Sequence, residues 1–143
     1  MRQTVPKMQE QKVPADIVAA TIAAATSATG APFGELVHPD AIEAMAVCLL
    51  QLDATVLDPV LEDRVVRAFD PTRPIPVPAL VLAADPSSPD CVTWPADIAR
   101  LAETTPHAEV RVISGAGHLI HDELAHRSVV RDAVRSFLDR HSD

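Results

Sequence analysis

The sequence predicts a mixed α/β fold, with a helical first half followed by a strand–helix–strand–helix unit whose strands run parallel. Three observations carry this expectation. Between Pro14 and Asp70 the apolar residues recur at helical spacings and no strand pattern appears. Ala79 to Ala84 (ALVLAA) is an uninterrupted apolar run, the pattern of a strand covered on both faces in a parallel sheet. A helical pattern separates it from a second apolar strand, Glu109 to Ile113, and that order requires a crossover connection between parallel strands.

Taken in order, residues 1–13 are polar and without periodicity, so a loose lead-in is expected. Pro14 opens an alanine-rich helix from Ala15 to about Thr26, with Ile17, Val18 and Ile22 as its apolar contacts and Gly30 just beyond its end. Residues 31–37 form a turn-rich connector around Pro32 and Gly34. Pro39 suits the first position of a second helix, where its missing N–H costs nothing, and Ile42, Met45, Leu49 and Leu52 then share a face. A third helix is expected from Asp58-Pro59, with Asp58 as N-cap and Val60, Leu61, Val65, Val66 and Phe69 as its apolar positions.

Asp70 to Pro78 (DPTRPIPVP) is proline-dense and marks a boundary. The chain thus divides into a lead-in at 1–13, a helical region at 14–70 and a strand-bearing segment at 71–143. In the last of these, the first strand ends at Asp85-Pro86. Pro95 opens a fourth helix with Ile98, Leu101 and Ala102 inward. The final helix runs from about Leu124 to Arg140, with Val130, Val134, Phe137 and Leu138 on one face. Two parallel strands are too few for a stable sheet, so either the helical half covers them in an unusual way, or they pair with strands from outside this chain or from a second copy of it, and the second arrangement is expected.

Composition narrows the function classes. The chain has 143 residues, a net charge of −8 and only 3% aromatic residues. A phosphate backbone would be repelled and would find almost no stacking surface, so nucleic acid is not an expected partner. No apolar run approaches the roughly 18 residues that cross a bilayer, and residues 1–13 lack the apolar stretch of a secretory signal. Cys48 and Cys91 lie far apart and outside any C-x-x-C, as expected of reduced cysteines in a cytoplasmic protein.

The chemistry-bearing stretch is Val110 to His126, VRVISGAGHLIHDELAH. The strand provides rigidity, Gly115 and Gly117 allow a sharp turn, and His118 follows at the carboxyl end of the strand, where open parallel sheets place their ligands. Asp85 stands just beyond the end of the other strand. From there a carboxylate can accept the Nδ1–H of His118, fix its tautomer and stabilise the imidazolium, as in an acid–histidine–nucleophile relay. His118, Asp122 and His126 would align on a helix and could then ligate a metal, but the glycines immediately before His118 disfavour this, and no HExxH accompanies them. No G-x-S-x-G elbow, G-x-G-x-x-G or phosphate-binding loop occurs. Neither a cofactor nor a metal is therefore expected, and Ser87, Ser88 and Ser114 have no evident oxyanion donors beside them.

These residues resemble a known family. PVPALVLAADP, then a helix, then AEVRVISGAGHLIH and an amphipathic helix, is similar to the C-terminal part of the α/β-hydrolase superfamily. The resemblance implies an incomplete hydrolase-like fold in which residues 14–70 form a helical cap or lid. It implies that His118, in GAGH, is the catalytic base and that the acid lies in the loop after the preceding strand. Ala84 replaces the glycine of the usual G-x-x-D pattern and Ser87 stands at its fourth position. The acid is then Asp85, in a variant ADP form, with Asp90 as the alternative. Leu119 and Ile120, with the cap helices, are expected to wall a pocket for a small apolar substrate.

The family's first half, with its nucleophile elbow, oxyanion loop and most of its sheet, has no counterpart here. The resemblance therefore implies ester- or amide-type hydrolysis only for an intact protein, with little activity in this chain alone. Its expected partner is a complementing N-terminal half. The competing expectation is a non-catalytic interaction protein, derived from a hydrolase, that forms a homodimer through its open sheet.

Overall fold

The structure is a computed structural model and describes residues 4–62, 73–92 and 95–142. The chain divides into two compact units, Met1–Thr26 with Pro32–Asp70, and Ser27–Ala31 with Pro71–Asp143.

The first unit is helical. It contains α1 (Thr4–Glu10), α2 (Ala15–Ala24), α3 (Phe33–Leu36), α4 (Pro39–Gln51), a 3₁₀ turn at Ala54–Leu57 and α5 (Asp58–Leu61). The expectation of a loose lead-in fails at α1. The Gln9 side-chain amide donates to the carbonyls of Leu50 and Leu52, at 3.0 and 2.9 Å. Those carbonyls lie at the end of α4, where no helical N–H reaches them. The segment is thus ordered by docking rather than by its own periodicity, and Val5 is buried with it. α3 forms within what the sequence marks as a connector, and Gly34 lets it approach α2. A Cβ there would stand 3.1 Å from that of Ala23.

α4 starts at Pro39 as expected, and the ring Nδ1 of His38 accepts the Asp40 N–H. Its apolar face splits: Ile42 and Ala46 are buried, whereas Met45, Leu49 and Leu52 line an open groove of about 420 Å³ with Ile22, Phe33 and Cys48. Asp58 begins α5 as a helical residue. The 3₁₀ turn before it is capped by Asp53, which accepts from the N–H and hydroxyl of Thr55. Val65, Val66 and Phe69 lie outside the described residues.

The second unit contains β1 (Ala79–Ala83), α6 (Pro95–Thr104), β2 (Ala108–Val112) and α7 (Arg127–His141). β1 and β2 pair in parallel, from Ala79 opposite Ala108 to Ala83 opposite Val112. The unit is therefore mixed α/β with a parallel sheet, which in the described residues has two strands. α7 packs along β1 and α6 along β2. Arg111 and Arg140 both hold the Glu109 carboxylate, tying β2 to α7.

The strands are less covered than their apolar sequence leads one to expect. Ala79–Leu82 are only half-buried, and Val112 is 48% exposed. Among the described residues each strand has one strand neighbour and limited helix cover, so neither reaches the burial of a central parallel strand. α7 turns Val130 and Ala133 inward and leaves Val134 and Leu138 exposed, and Ala102 on α6 is exposed too. The tightest packing lies beyond the strand ends, where Ala84, Ile113, Ala116, Ile120 and Val130 form a buried cluster flanked by Leu82 and Cys91.

Candidate functional site around the His118 loop

The loop that carries His118 stands directly on that cluster. Ile113, Ala116 and Ile120 point into the core, so the chain between them is anchored at both ends and in the middle. Asp85 N–H donates to the Ala116 carbonyl at 2.9 Å, joining the ends of the two strands. Gly115 adopts φ +75°, a conformation that a side chain disfavours. Gly117 has no room for one. A Cβ there would meet both Asp90 carboxylate oxygens at 2.6 Å and Glu123 Oε1 at 2.7 Å.

Three carboxylates grip three main-chain N–H groups of this loop. Asp85 Oδ2 accepts from Gly115 at 2.7 Å. Glu123 Oε1 accepts from Gly117 at 2.8 Å, and Asp90 Oδ2 accepts from His118 at 3.3 Å. Hydrogen bonds to an ionised acceptor are among the stronger ones, and together they fix the backbone from which the exposed His118 ring projects.

The two candidate acids occupy different places. Asp85 is saturated by its own turn on one oxygen and by the start of the His118 loop on the other. Oδ1 accepts from the N–H and hydroxyl of Ser87 at 2.8 and 2.6 Å, and Oδ2 from Gly115 and, at 3.5 Å, from the Ser114 hydroxyl. These donors, the Gly115 N–H foremost, hold its carboxyl down to about 2. Asp90 accepts from the Ser88 hydroxyl at 2.6 Å through Oδ1, and its other oxygen faces His118. Its carboxyl also lies below the usual range, chiefly through Ser88. Partial burial opposes this, while the His118 N–H and the nearby His118 ring add to it.

Ile120 belongs to the buried core and Leu119 is half-buried. Residues 118–126 are turns, and α7 begins at Arg127 rather than near Leu124. The helical alignment of His118, Asp122 and His126 therefore does not form. Among the described residues, no three His, Cys, Asp or Glu side chains converge to hold a metal. His121 instead pairs with Asp122 at the surface.

The sequence does not single out Glu123. Its Oε2 lies 2.7 Å from Nδ1 of His126, and both side chains are mostly buried, at 14% and 19% exposed. The available signal was the i, i+3 spacing of an acid and a histidine across a turn, which alone identifies no more than a local ion pair.

Chemically, the loop presents an exposed imidazole on a residue whose main-chain N–H is held by a carboxylate. The N–H groups of Gly115, Gly117 and His118 are all taken by carboxylates, so they are not free to stabilise an oxyanion. Ser114 is bonded to Asp85. No family model matches the chain, and no curated protein or solved structure is significantly similar to it.

Proposed function

We propose that this chain is the acid- and base-bearing C-terminal part of an α/β-hydrolase-like enzyme that cleaves an ester- or amide-type bond. The observation that carries the reading is the exposed His118, presented by a braced loop at the carboxyl end of a parallel strand, with Asp90 accepting its main-chain N–H. In the intact enzyme His118 takes the proton from a nucleophilic hydroxyl and returns it to the leaving group. Asp90, rather than the already saturated Asp85, stabilises the imidazolium. The nucleophile and the oxyanion donors come from a complementing N-terminal half, whose strands also cover the half-buried sheet. The helical first unit serves as the cap, and its apolar groove suits a small apolar substrate.

The test is hydrolysis of p-nitrophenyl butyrate by the protein produced with the in-frame residues encoded upstream of Met1. Expected are a G-x-S-x-G in that region and saturable turnover that falls about 10²- to 10⁴-fold in His118→Ala. Turnover indifferent to His118, or an upstream region without a nucleophile, overturns it.

One observation favours a second reading, a non-catalytic protein that associates through its sheet. Val112, at the end of β2, and Val77, just before β1, are 48% and 58% exposed in a sheet of core-like composition. Sedimentation velocity separates the readings. A tight homodimer without esterase activity favours association, and a monomer disfavours it.

A further inference from the structure

We propose that Glu123 and His126 are positioning residues for His118: Glu123 clamps the backbone immediately before it, and His126 holds Glu123 in place. This rests on the reading of His118 as the functional group of the site. One Glu123 oxygen accepts the Gly117 N–H at 2.8 Å, while the other meets His126 Nδ1 at 2.7 Å. The two bonds use opposite oxygens of one carboxylate, so its orientation is set from both sides. Both side chains are mostly buried, which strengthens the bonds by excluding water.

His126 is itself fixed. Its N–H donates to the Glu123 carbonyl at 3.1 Å, and its own carbonyl accepts from Val130 on α7. The chain of support therefore runs from α7 through His126 and Glu123 to Gly117, and the next residue is His118. Gly117 is required because Glu123 and Asp90 both close on the space a side chain would fill. The pair thus does for the His118 backbone what a carboxylate behind a metal-bound histidine does for its ring: it removes freedom at one remove from the reacting atom.

The test uses the full chain and three variants, Glu123→Ala, Glu123→Gln and His126→Ala, followed by amide hydrogen exchange and by NMR titration of the Asp90 carboxyl. In Glu123→Ala the Gly117 amide is expected to exchange about tenfold faster or more, the loss of one charge-assisted bond. The Asp90 carboxyl titrates higher as the His118 N–H loosens. Glu123→Gln restores both readouts, because its amide oxygen still accepts from Gly117 and its amide N–H donates to a neutral Nδ1. His126→Ala loosens the Gly117 amide while the amides of Val81 and Arg111, paired across the two strands, stay protected.

If Glu123→Ala does not fold, His126→Ala and Glu123→Gln decide the matter alone. Unchanged exchange at Gly117 in His126→Ala, or a Gln variant as loose as the Ala variant, overturns the proposal. None of these readouts involves hydrolysis. A loop that loosens as described, in a protein whose esterase rate ignores His118, removes only the hydrolytic reading.

Discussion

Asp90 Oδ2 lies 3.3 Å from the main-chain nitrogen of His118 and accepts its N–H, across 28 residues of sequence. The bond links the loop after β1 to the loop after β2 on the histidine side. Its counterpart on the glycine side is Asp85 to Gly115. Replacing Asp90 by Ala frees the His118 N–H and the Ser88 hydroxyl to water. Urea denaturation is expected to show a loss of about 0.5–1.5 kcal/mol, since both groups can be resolvated.

Asp85 makes the second unit acid-sensitive. Its carboxyl is held down from 3.8 to about 2, first by the Gly115 N–H and then by Ser87. A carboxyl depressed in the folded state adds stability above its unfolded value, and that contribution is lost as pH falls through the folded one. The window therefore runs from about pH 4 down to about pH 2. Asp85→Asn is expected to flatten the fall in thermal midpoint across that window while leaving the slope above pH 5 unchanged. A wild-type slope retained in the variant assigns the sensitivity elsewhere.

Gly117→Ala places a methyl group 2.6 Å from the Asp90 oxygens and 2.7 Å from Glu123 Oε1. Those oxygens end side chains already tied to Ser88, His118 and His126, so moving them breaks bonds on both sides. Destabilisation of about 1–3 kcal/mol is expected, together with loss of amide protection at both Gly117 and His118. A variant that keeps both amides protected shows that the loop yields without releasing its carboxylates.

Ile120 is 9% exposed and packs with Ala84, Ile113, Ala116 and Val130. Truncation to Ala removes buried methyl groups from a small cluster directly beneath the loop. A cost of about 2–4 kcal/mol by chemical denaturation is expected. A loss below about 1 kcal/mol means that the neighbouring side chains collapse into the space.

Local chemistry made much of this legible in the sequence. Pro39 and Pro95 mark the helix starts, ALVLAA marks the first strand, and two glycines after VRVIS mark the turn that presents His118. What stayed hidden depends on contacts between distant residues. α1 has no periodicity of its own and is ordered by Gln9 on the α4 carbonyls. The places of Asp85 and Asp90, five residues apart in one loop, are set by which serine each one binds. Glu123 looks like any turn acid until the loop folds back over it, bringing the Gly117 N–H to one of its oxygens and His126 to the other. The strands read as fully buried because composition reports the environment they suit, not the cover present.

We propose His118 as a base whose nucleophile comes from outside this chain. Initial rates of p-nitrophenyl butyrate hydrolysis by the purified 143-residue chain and its His118→Ala variant, measured side by side, test it most directly. Slow, non-saturating rates are expected, differing by no more than one free imidazole explains. Saturable turnover by the chain alone, abolished in His118→Ala, would contradict it by showing that the nucleophile is already present.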